Sequence, residues 1–166
     1  MNAGEPVYFD HAATTPVDPR VLAAMMPYFG ERYGNPSELH AAGREGRRAV
    51  EAARAAVAAA LNAGEREIVF TAGGTESDNL ALTGCLERFE PGHLIVGAIE
   101  HPAVLETAKA LGRRGWSVDF APVDRDGLID LDAYERAFRP DTRLVSVMLA
   151  NNVVGTVQPV ADLARI

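Results

Sequence analysis

A glycine turn followed by a helical pattern is the first place in this sequence where chemistry could occur. The apolar run Ile68–Phe70 ends shortly before Gly73-Gly74-Thr75, and apolar residues then recur at helical spacing. The first turn of a helix leaves backbone N–H groups without intrahelical partners, and glycine lets a ligand approach the backbone closely. The turn therefore indicates an anion site that suits a phosphate. The alternative is a plain strand-to-helix turn with Thr75 as the N-cap, and the turn by itself favours that alternative.

Two familiar phosphate-binding motifs do not fit this turn. No Gly-Lys-Ser/Thr sequence ends it, as a nucleotide P-loop requires. The spacing of Gly73, Gly74 and the distant Gly84 also differs from the Gly-x-Gly-x-x-Gly of dinucleotide sites. A phosphate bound here would belong to another class of ligand.

Two further polar groups follow apolar runs. Glu100-His101 ends one run, and its imidazole could stack on a flat ligand or move a proton near neutral pH. His101 could equally well only cap the helix that follows, and the residues leave these two interpretations even. Asn151-Asn152 ends another run and could bind a ligand, although shaping the turn before Gly155 is the commoner role of such a pair.

The elements that must position these groups alternate along the chain. Apolar runs of strand length separated by helical patterns indicate βαβ units and a mostly parallel sheet with helices on both faces, a three-layer α/β fold. The predicted strands are Ile68–Thr71, Leu94–Ile99, Trp116–Val123 and Leu144–Leu149, and the predicted helices between them are Thr75–Phe89, Pro102–Arg114 and Leu131–Phe138. Ligands of such sheets bind beyond the carboxyl ends of the strands.

All three candidate groups fall at that edge. A phosphate cradle at Gly74 and Thr75, an imidazole at His101 and an amide at Asn152 would converge on one planar, phosphorylated ligand. Pyridoxal phosphate fits this description.

The residues before the glycine turn predict two helices. Asp18 is a good N-cap for a short helix with Pro19 in its first turn. Ser37 could cap a long amphipathic helix that ends near Asn62, because apolar residues recur there at steps of three and four.

Composition excludes several classes of function. The 166 residues are 48% hydrophobic, which suffices for a packed core, and the net charge of −7 argues against nucleic acid and anionic membranes as partners. No apolar run approaches bilayer length and no secretory signal is visible, which together with a single cysteine favours the cytoplasm. That residue, Cys85, sits in a helical pattern where a small buried thiol is favoured over a nucleophile. No cluster of His, Cys and carboxylates predicts a metal site.

These motifs, in this order and spacing, give the chain a clear resemblance. It resembles the cysteine desulfurases, which are class-V aminotransferases with a fold-type-I pyridoxal-phosphate architecture, and the match covers nearly the whole chain. The matching segments are Tyr8–Pro16, Tyr33–Ser37, Glu67–Asn79, Glu100-His101, Asp126–Asp130 and Asn151–Gly155. One departure is Val153, where the family commonly has Glu.

The resemblance implies a site and a reaction. Gly74 and Thr75 would bind the cofactor phosphate, His101 would stack on its ring and take part in proton transfer, and Asn152 would lie near the ring hydroxyl. The reaction removes sulfur from L-cysteine, giving L-alanine and an enzyme persulfide that supplies iron–sulfur clusters or thio-cofactors. The family forms homodimers and passes sulfur to acceptor or scaffold proteins. By the same resemblance, residues 1–36 would be an N-terminal arm with a short helix and 37–166 part of the large domain.

The resemblance also shows what the sequence does not hold. The family's cofactor-binding lysine, its substrate arginine and its persulfide cysteine would lie beyond Ile166, and the single lysine, Lys109, is predicted to face solvent. The sequence therefore predicts half of a cofactor site and no turnover by this chain alone. The alternatives are another class-V enzyme, such as a selenocysteine lyase, and a non-catalytic fragment or one half of a split enzyme.

Overall fold

A computed structural model describes residues 7–166, which divide into two units. The first unit ends at Phe70 and the second runs from Thr71 to Ile166. The division into an arm of residues 1–36 and a large domain of residues 37–166 stays a prediction.

The first unit is helical. Its elements are α1 (Pro19–Met25), a 3-10 turn (Met26–Phe29), α2 (Ala41–Leu61) and a second 3-10 turn (Glu65–Glu67). The Asp18 carboxylate accepts a hydrogen bond from the Arg20 N–H at 2.8 Å, which confirms Asp18 as the N-cap of α1.

The two ends of α2 differ in how well the sequence predicted them. The predicted cap at Ser37 is wrong, because His40 lies at the N-cap and its Nδ1 accepts from the Gly43 N–H at 3.3 Å. The predicted end is confirmed, since Asn62 adopts the left-handed conformation that closes a helix. Gly46 is required inside α2, because a Cβ there would lie 2.4 Å from the Gly34 carbonyl oxygen.

The second unit is a three-layer α/β structure. Its elements are α3 (Gly74–Leu86), β1 (His93–Gly97), α4 (Pro102–Arg113), β2 (Ser117–Ala121), α5 (Leu131–Arg136), β3 (Thr142–Ser146) and α6 (Val160–Leu163). The three strands form a parallel sheet in the order β2-β1-β3. The predicted fold class is confirmed.

Successive residues of the central strand build two separate cores. Leu94 and Val96 point to one face, where they pack with residues of α3 and α4, including Leu82 and Val104. Ile95 points to the other face, where it packs with Ala121, Ile129, Tyr134 and Leu163. Every residue of β1 is buried, which explains why Leu94, Ile95 and Val96 form an apolar run without alternation.

The strand predicted at Ile68–Thr71 is not formed. Ile68 has extended backbone angles, yet among residues 7–166 no strand pairs with this segment. An apolar run predicts an extended conformation, whereas a strand also needs a neighbour elsewhere in the chain.

Polar side chains join the three strands at their amino ends. The buried His93 holds its Nδ1 2.8 Å from the Thr142 hydroxyl, and its Nε2 lies 3.2 Å from Asp119 without hydrogen-bond alignment. Arg139 donates to Asp119 at 2.7 Å and to the Ser117 hydroxyl at 2.8 Å. This cluster fixes the sheet edge opposite the candidate site. Across residues 7–166, no helix combines the length and apolar character needed to cross a bilayer.

Candidate functional site

The amino end of α3 is open. Gly73 is the N-cap, so Thr75 lies within the first turn and is not the N-cap. In the described part of the chain, no side chain bonds to the first N–H groups of the helix. A Cβ built on Gly73 or Gly74 would meet no heavy atom within 4 Å, and Thr75 is exposed. Free N–H groups, open space and an exposed hydroxyl together fit a phosphate.

Side chains on α3 hold this turn without covering it. Glu76 accepts a hydrogen bond from the Ala72 N–H at 2.6 Å, and the Asn79 side chain donates to the Thr75 carbonyl at 2.8 Å. The hydroxyls of Thr71 and Ser77 lie 2.6 Å apart. The backbone is therefore shaped before any ligand arrives, which lowers the entropy cost of binding.

His101 caps α4 at the carboxyl end of β1. Its Nδ1 accepts from the Ala103 N–H at 3.1 Å, so the capping role is confirmed. The bond requires an unprotonated Nδ1, which places the proton of a neutral ring on Nε2. Because the residue is exposed, the cap fixes the ring while leaving it open to a ligand. Its role toward a ligand stays a prediction.

The two asparagines after β3, Asn151 and Asn152, have different structural roles. Asn151 is buried, and its Oδ1 accepts from the N–H groups of Val153 at 2.8 Å and Val154 at 3.0 Å. It therefore shapes the turn before Gly155, whose φ is +76°. Asn152 is exposed, so its amide is free of that task.

Asn151 also connects the two loops of the site. Its Nδ2 donates to the Ile99 carbonyl at 2.9 Å, which joins the segment after β3 to the segment after β1. Because both strands pair in parallel, these segments leave the sheet at the same edge. The predicted convergence on one edge is thus achieved for His101 and the asparagines.

Glu100 is a site residue that sequence reasoning did not single out. It is only 7% exposed, and its Oε1 has no hydrogen-bond partner within residues 7–166. Burial raises the pKa of this carboxyl above its ordinary value, the Met148 amide opposes the rise, and the charge of Asp78 adds to it. Its position directly after an apolar strand could have indicated a role for Glu100, but the sequence interpretation considered only the adjacent imidazole of His101.

A cavity of about 290 Å³ brings several of these groups together. Asp78 of α3, Glu100 and His101 line it, together with Ser146 at the end of β3 and Met148 just after that strand. Thr75 lines a neighbouring groove with Asn79 and Ala103. Asp78 and Glu100 were absent from the predicted site.

Gln158 was also missed. It is 3% exposed, and its side chain accepts from the Ile129 N–H at 3.0 Å and donates to the Gly127 carbonyl at 2.5 Å. The Thr156 hydroxyl donates to the Asp126 carbonyl at 2.6 Å. These bonds fasten the segment that carries Asn152 to the turn before α5. A polar residue between a glycine turn and a proline gave no sign of burial.

The remaining reactive side chains lie away from the cavity. Lys109 pairs with Glu106 at 2.7 Å and its side chain is 52% exposed, as predicted. Cys85 is exposed, so the prediction of a buried thiol is wrong. Leu82 and Leu86 form the buried stripe of α3, and Cys85 is turned about 100° from Leu86. Within residues 7–166, no group of three or more His, Cys, Asp or Glu side chains could hold a metal ion.

Comparison with known proteins places this geometry in a family. The Aminotransferase class-V family profile matches residues 7–166. The cysteine desulfurase IscS of Neisseria meningitidis is 50% identical over 100% of this chain and 42% of its own length. The putative cysteine desulfurase IscS 1 of Bacillus subtilis is 48% identical over 98% of this chain and 43% of its own length. The chain thus spans less than half the length of these relatives.

Solved structures agree with the sequence comparison. A NifS-like protein superposes with a TM-score of 0.93 at 46% identity, covering 96% of this chain and 44% of that protein. SspA in complex with cysteine superposes with a TM-score of 0.90 at 41% identity, covering 95% of this chain and 46% of SspA. The resemblance to cysteine desulfurases is confirmed, and the chain belongs to the class-V aminotransferase family.

Proposed function

We propose that this chain forms the phosphate-binding part of a pyridoxal-phosphate-dependent cysteine desulfurase. The reaction would convert L-cysteine to L-alanine and leave the sulfur as a persulfide on an enzyme cysteine. One observation carries the proposal: a chain about half identical to cysteine desulfurases holds an open helix N-terminus, a fixed imidazole and an exposed amide around one sheet edge.

Each residue has a role that follows from its surroundings. The N–H groups of Gly74 and Thr75, with the Thr75 hydroxyl, would bind the phosphate at the positive end of α3. His101, held through Nδ1 by the Ala103 N–H, would present its ring face to the pyridine ring and its Nε2 to a proton in transit. Asn152 would donate a hydrogen bond to a ring substituent.

The cofactor would supply the electron sink that makes bonds to the substrate's α-carbon labile. The residues of this chain would contribute by holding the cofactor in a fixed orientation. The Asn151 bond to Ile99 holds the two ligand-facing segments together, and the bonds within the Gly73–Ser77 turn hold the phosphate cradle.

A polypeptide of these 166 residues should not turn over cysteine. Its single lysine, Lys109, pairs with Glu106 on the exposed side of α4, and its single cysteine is on α3. Neither lines the cavity at His101. Covalent capture of the cofactor therefore needs a lysine from another segment or chain.

A chimera provides the test. Residues 1–166 joined to the remaining C-terminal part of the Bacillus subtilis relative should release alanine from L-cysteine when supplied with pyridoxal phosphate. The 166-residue polypeptide alone should release none above a protein-free control. In the chimera, His101→Ala should lower alanine release by at least about 100-fold, the lower range for a proton-transfer residue.

Two outcomes would count against the proposal. A folded chimera that binds the cofactor but forms no alanine would show that this half does not support desulfuration. Release of selenium from L-selenocysteine without sulfur release from L-cysteine would instead indicate a selenocysteine lyase. Homodimerisation, a cytoplasmic location, and sulfur delivery to acceptor or scaffold proteins for iron–sulfur cluster assembly belong to the same proposal.

A further inference from the structure

We propose that Glu100 is a positioning residue that holds the ring side of the site, the segments carrying His101 and Asn152, in place. This inference rests on the proposed function for its ligand, and on the geometry of the chain for everything else.

The carboxyl group occupies a packed position at the end of β1. Glu100 is only 7% exposed, and a Cβ built on Gly97 would lie 3.5 Å from both its Cγ and its Oε1. Oε1 has no hydrogen-bond partner among the described residues. Burying a polar atom without a partner costs free energy, so an apolar side chain would serve packing better. A carboxyl at this position is therefore better explained by a role in holding the segments that carry His101 and Asn152 than by packing.

Three consecutive residues link three different elements. The Ile99 carbonyl accepts from Asn151 after β3, and His101 Nδ1 accepts from Ala103 in α4. Between them, Glu100 lines the cavity that Ser146 at the end of β3 and Met148 after it also line. The segment 99–101 is thus fixed at its two ends by hydrogen bonds and at its centre by the buried carboxyl.

The neighbours of the Glu100 carboxyl connect it to the segment that carries Asn152 as well as to the segment that carries His101. The Met148 amide favours the ionised carboxylate, and Asp78 of α3 disfavours it. Met148 lies three residues before Asn151, and its sulfur is 3.4 Å from the Asn151 Nδ2. A shift of the carboxyl therefore affects the segment that presents Asn152 as well as the one that presents His101.

The test separates the ring side of the site from its phosphate end. Binding of pyridoxal phosphate to the 166-residue chain is measured by absorbance titration, and binding of inorganic phosphate by ³¹P NMR. Glu100→Ala should weaken binding of pyridoxal phosphate about tenfold, because the segments that carry His101 and Asn152 lose the carboxyl packed between them, and should leave binding of inorganic phosphate unchanged. A general loss of structure would weaken both.

Two more variants define the chemistry. Glu100→Gln keeps the shape and should bind pyridoxal phosphate as the parent chain does, whereas Glu100→Asp withdraws the carboxyl by one methylene and should weaken binding as Glu100→Ala does. If Glu100→Ala fails to fold, this pair carries the test. Glu135→Gln, on the exposed side of α5, is the matched control.

Amide hydrogen exchange keeps the inference separate from the proposed function. Glu100→Asp should speed exchange in residues 147–155 while leaving exchange in residues 74–79 unchanged. If the 166-residue chain binds no pyridoxal phosphate, hydrogen exchange alone decides the positioning role, and the chimera decides the proposed function. Equal exchange and equal affinities in Glu100→Asp and the parent chain would overturn the inference.

Discussion

A single buried carboxyl group, that of Glu100, should make the stability of this chain depend on pH. Burial raises its pKa above the ordinary value of 4.5, so the folded chain binds this proton more tightly than the unfolded chain does. The contribution of this group to the free energy of unfolding is therefore fully present below the ordinary pKa and is lost as the pH rises through the raised pKa. We expect the stability of Glu100→Gln relative to the parent chain to increase as the pH rises above the ordinary carboxyl pKa of 4.5 and then to level off, in denaturant titrations.

The neighbouring helix offers a control of opposite sign. The Lys109 ammonium group holds the pKa of the Glu106 carboxyl below its usual value, so any contribution there is lost as pH falls. Glu106 is exposed, and Glu106→Gln should change stability little at any pH. A Glu100→Gln variant that tracks the parent chain at every pH would contradict the assignment.

Individual site residues could be predicted from the sequence where the residue type has few possible roles. His101 and the asparagine pair were identified because imidazoles and amides at strand ends attract attention, and the structure confirms their capping and turn-shaping roles. Glu100 and Gln158 were missed because their burial depends on distant segments. Cys85 was misplaced because the helical pattern around it did not fix which side chains face the sheet.

At the scale of elements, the loop after β3 depends on the turn before α5. Gln158→Leu would leave the buried Ile129 N–H and the half-buried Gly127 carbonyl without their partners. We expect a loss of about 2–4 kcal/mol in the free energy of unfolding, because each buried unsatisfied group costs about 1–3 kcal/mol. Denaturant titration measures it.

Thr156→Val is the matched control for this change. It removes a bond between the same two segments, from the Thr156 hydroxyl to the Asp126 carbonyl, but that bond is exposed. Water replaces it, so the loss should stay below about 1 kcal/mol. Equal losses in the two variants would show that burial does not decide the strength of this connection.

The elements themselves were largely predictable. Three of the four predicted strands form. The central strand β1 stands out in the sequence because it is buried on both faces, whereas β2 and β3 are only partly buried. Ile68–Thr71 was indistinguishable from them, since its pairing partner is not a local property of the chain. The cap of α2 moved from Ser37 to His40 because imidazole nitrogen can also accept a backbone N–H.

At the scale of the whole molecule, apolar surface and net charge act against each other. Large apolar side chains are exposed at several positions, among them Phe9 at 90%, Leu39 at 80% and Val153 at 81%. Such surface favours association, whereas a net charge of −7 opposes it. We expect the 17.7 kDa polypeptide to self-associate with rising concentration, and more so at about 1 M salt than at about 0.05 M, in sedimentation velocity experiments.

A single sedimenting species at the monomer mass under all these conditions would contradict this expectation.

Family membership could be predicted from the sequence, because several motifs in order are far more specific than one. The matching relatives are more than twice as long as this chain.

The exposed Cys85 gives this chain a natural attachment point for a reporter. It is the only thiol in the sequence, and it lies ten residues along α3 from Thr75, about 15 Å of helix rise. A fluorophore or nitroxide placed there by maleimide chemistry would sit outside the phosphate cradle but on the same rigid helix. Ligand arrival could then be followed in real time without introducing or deleting any cysteine.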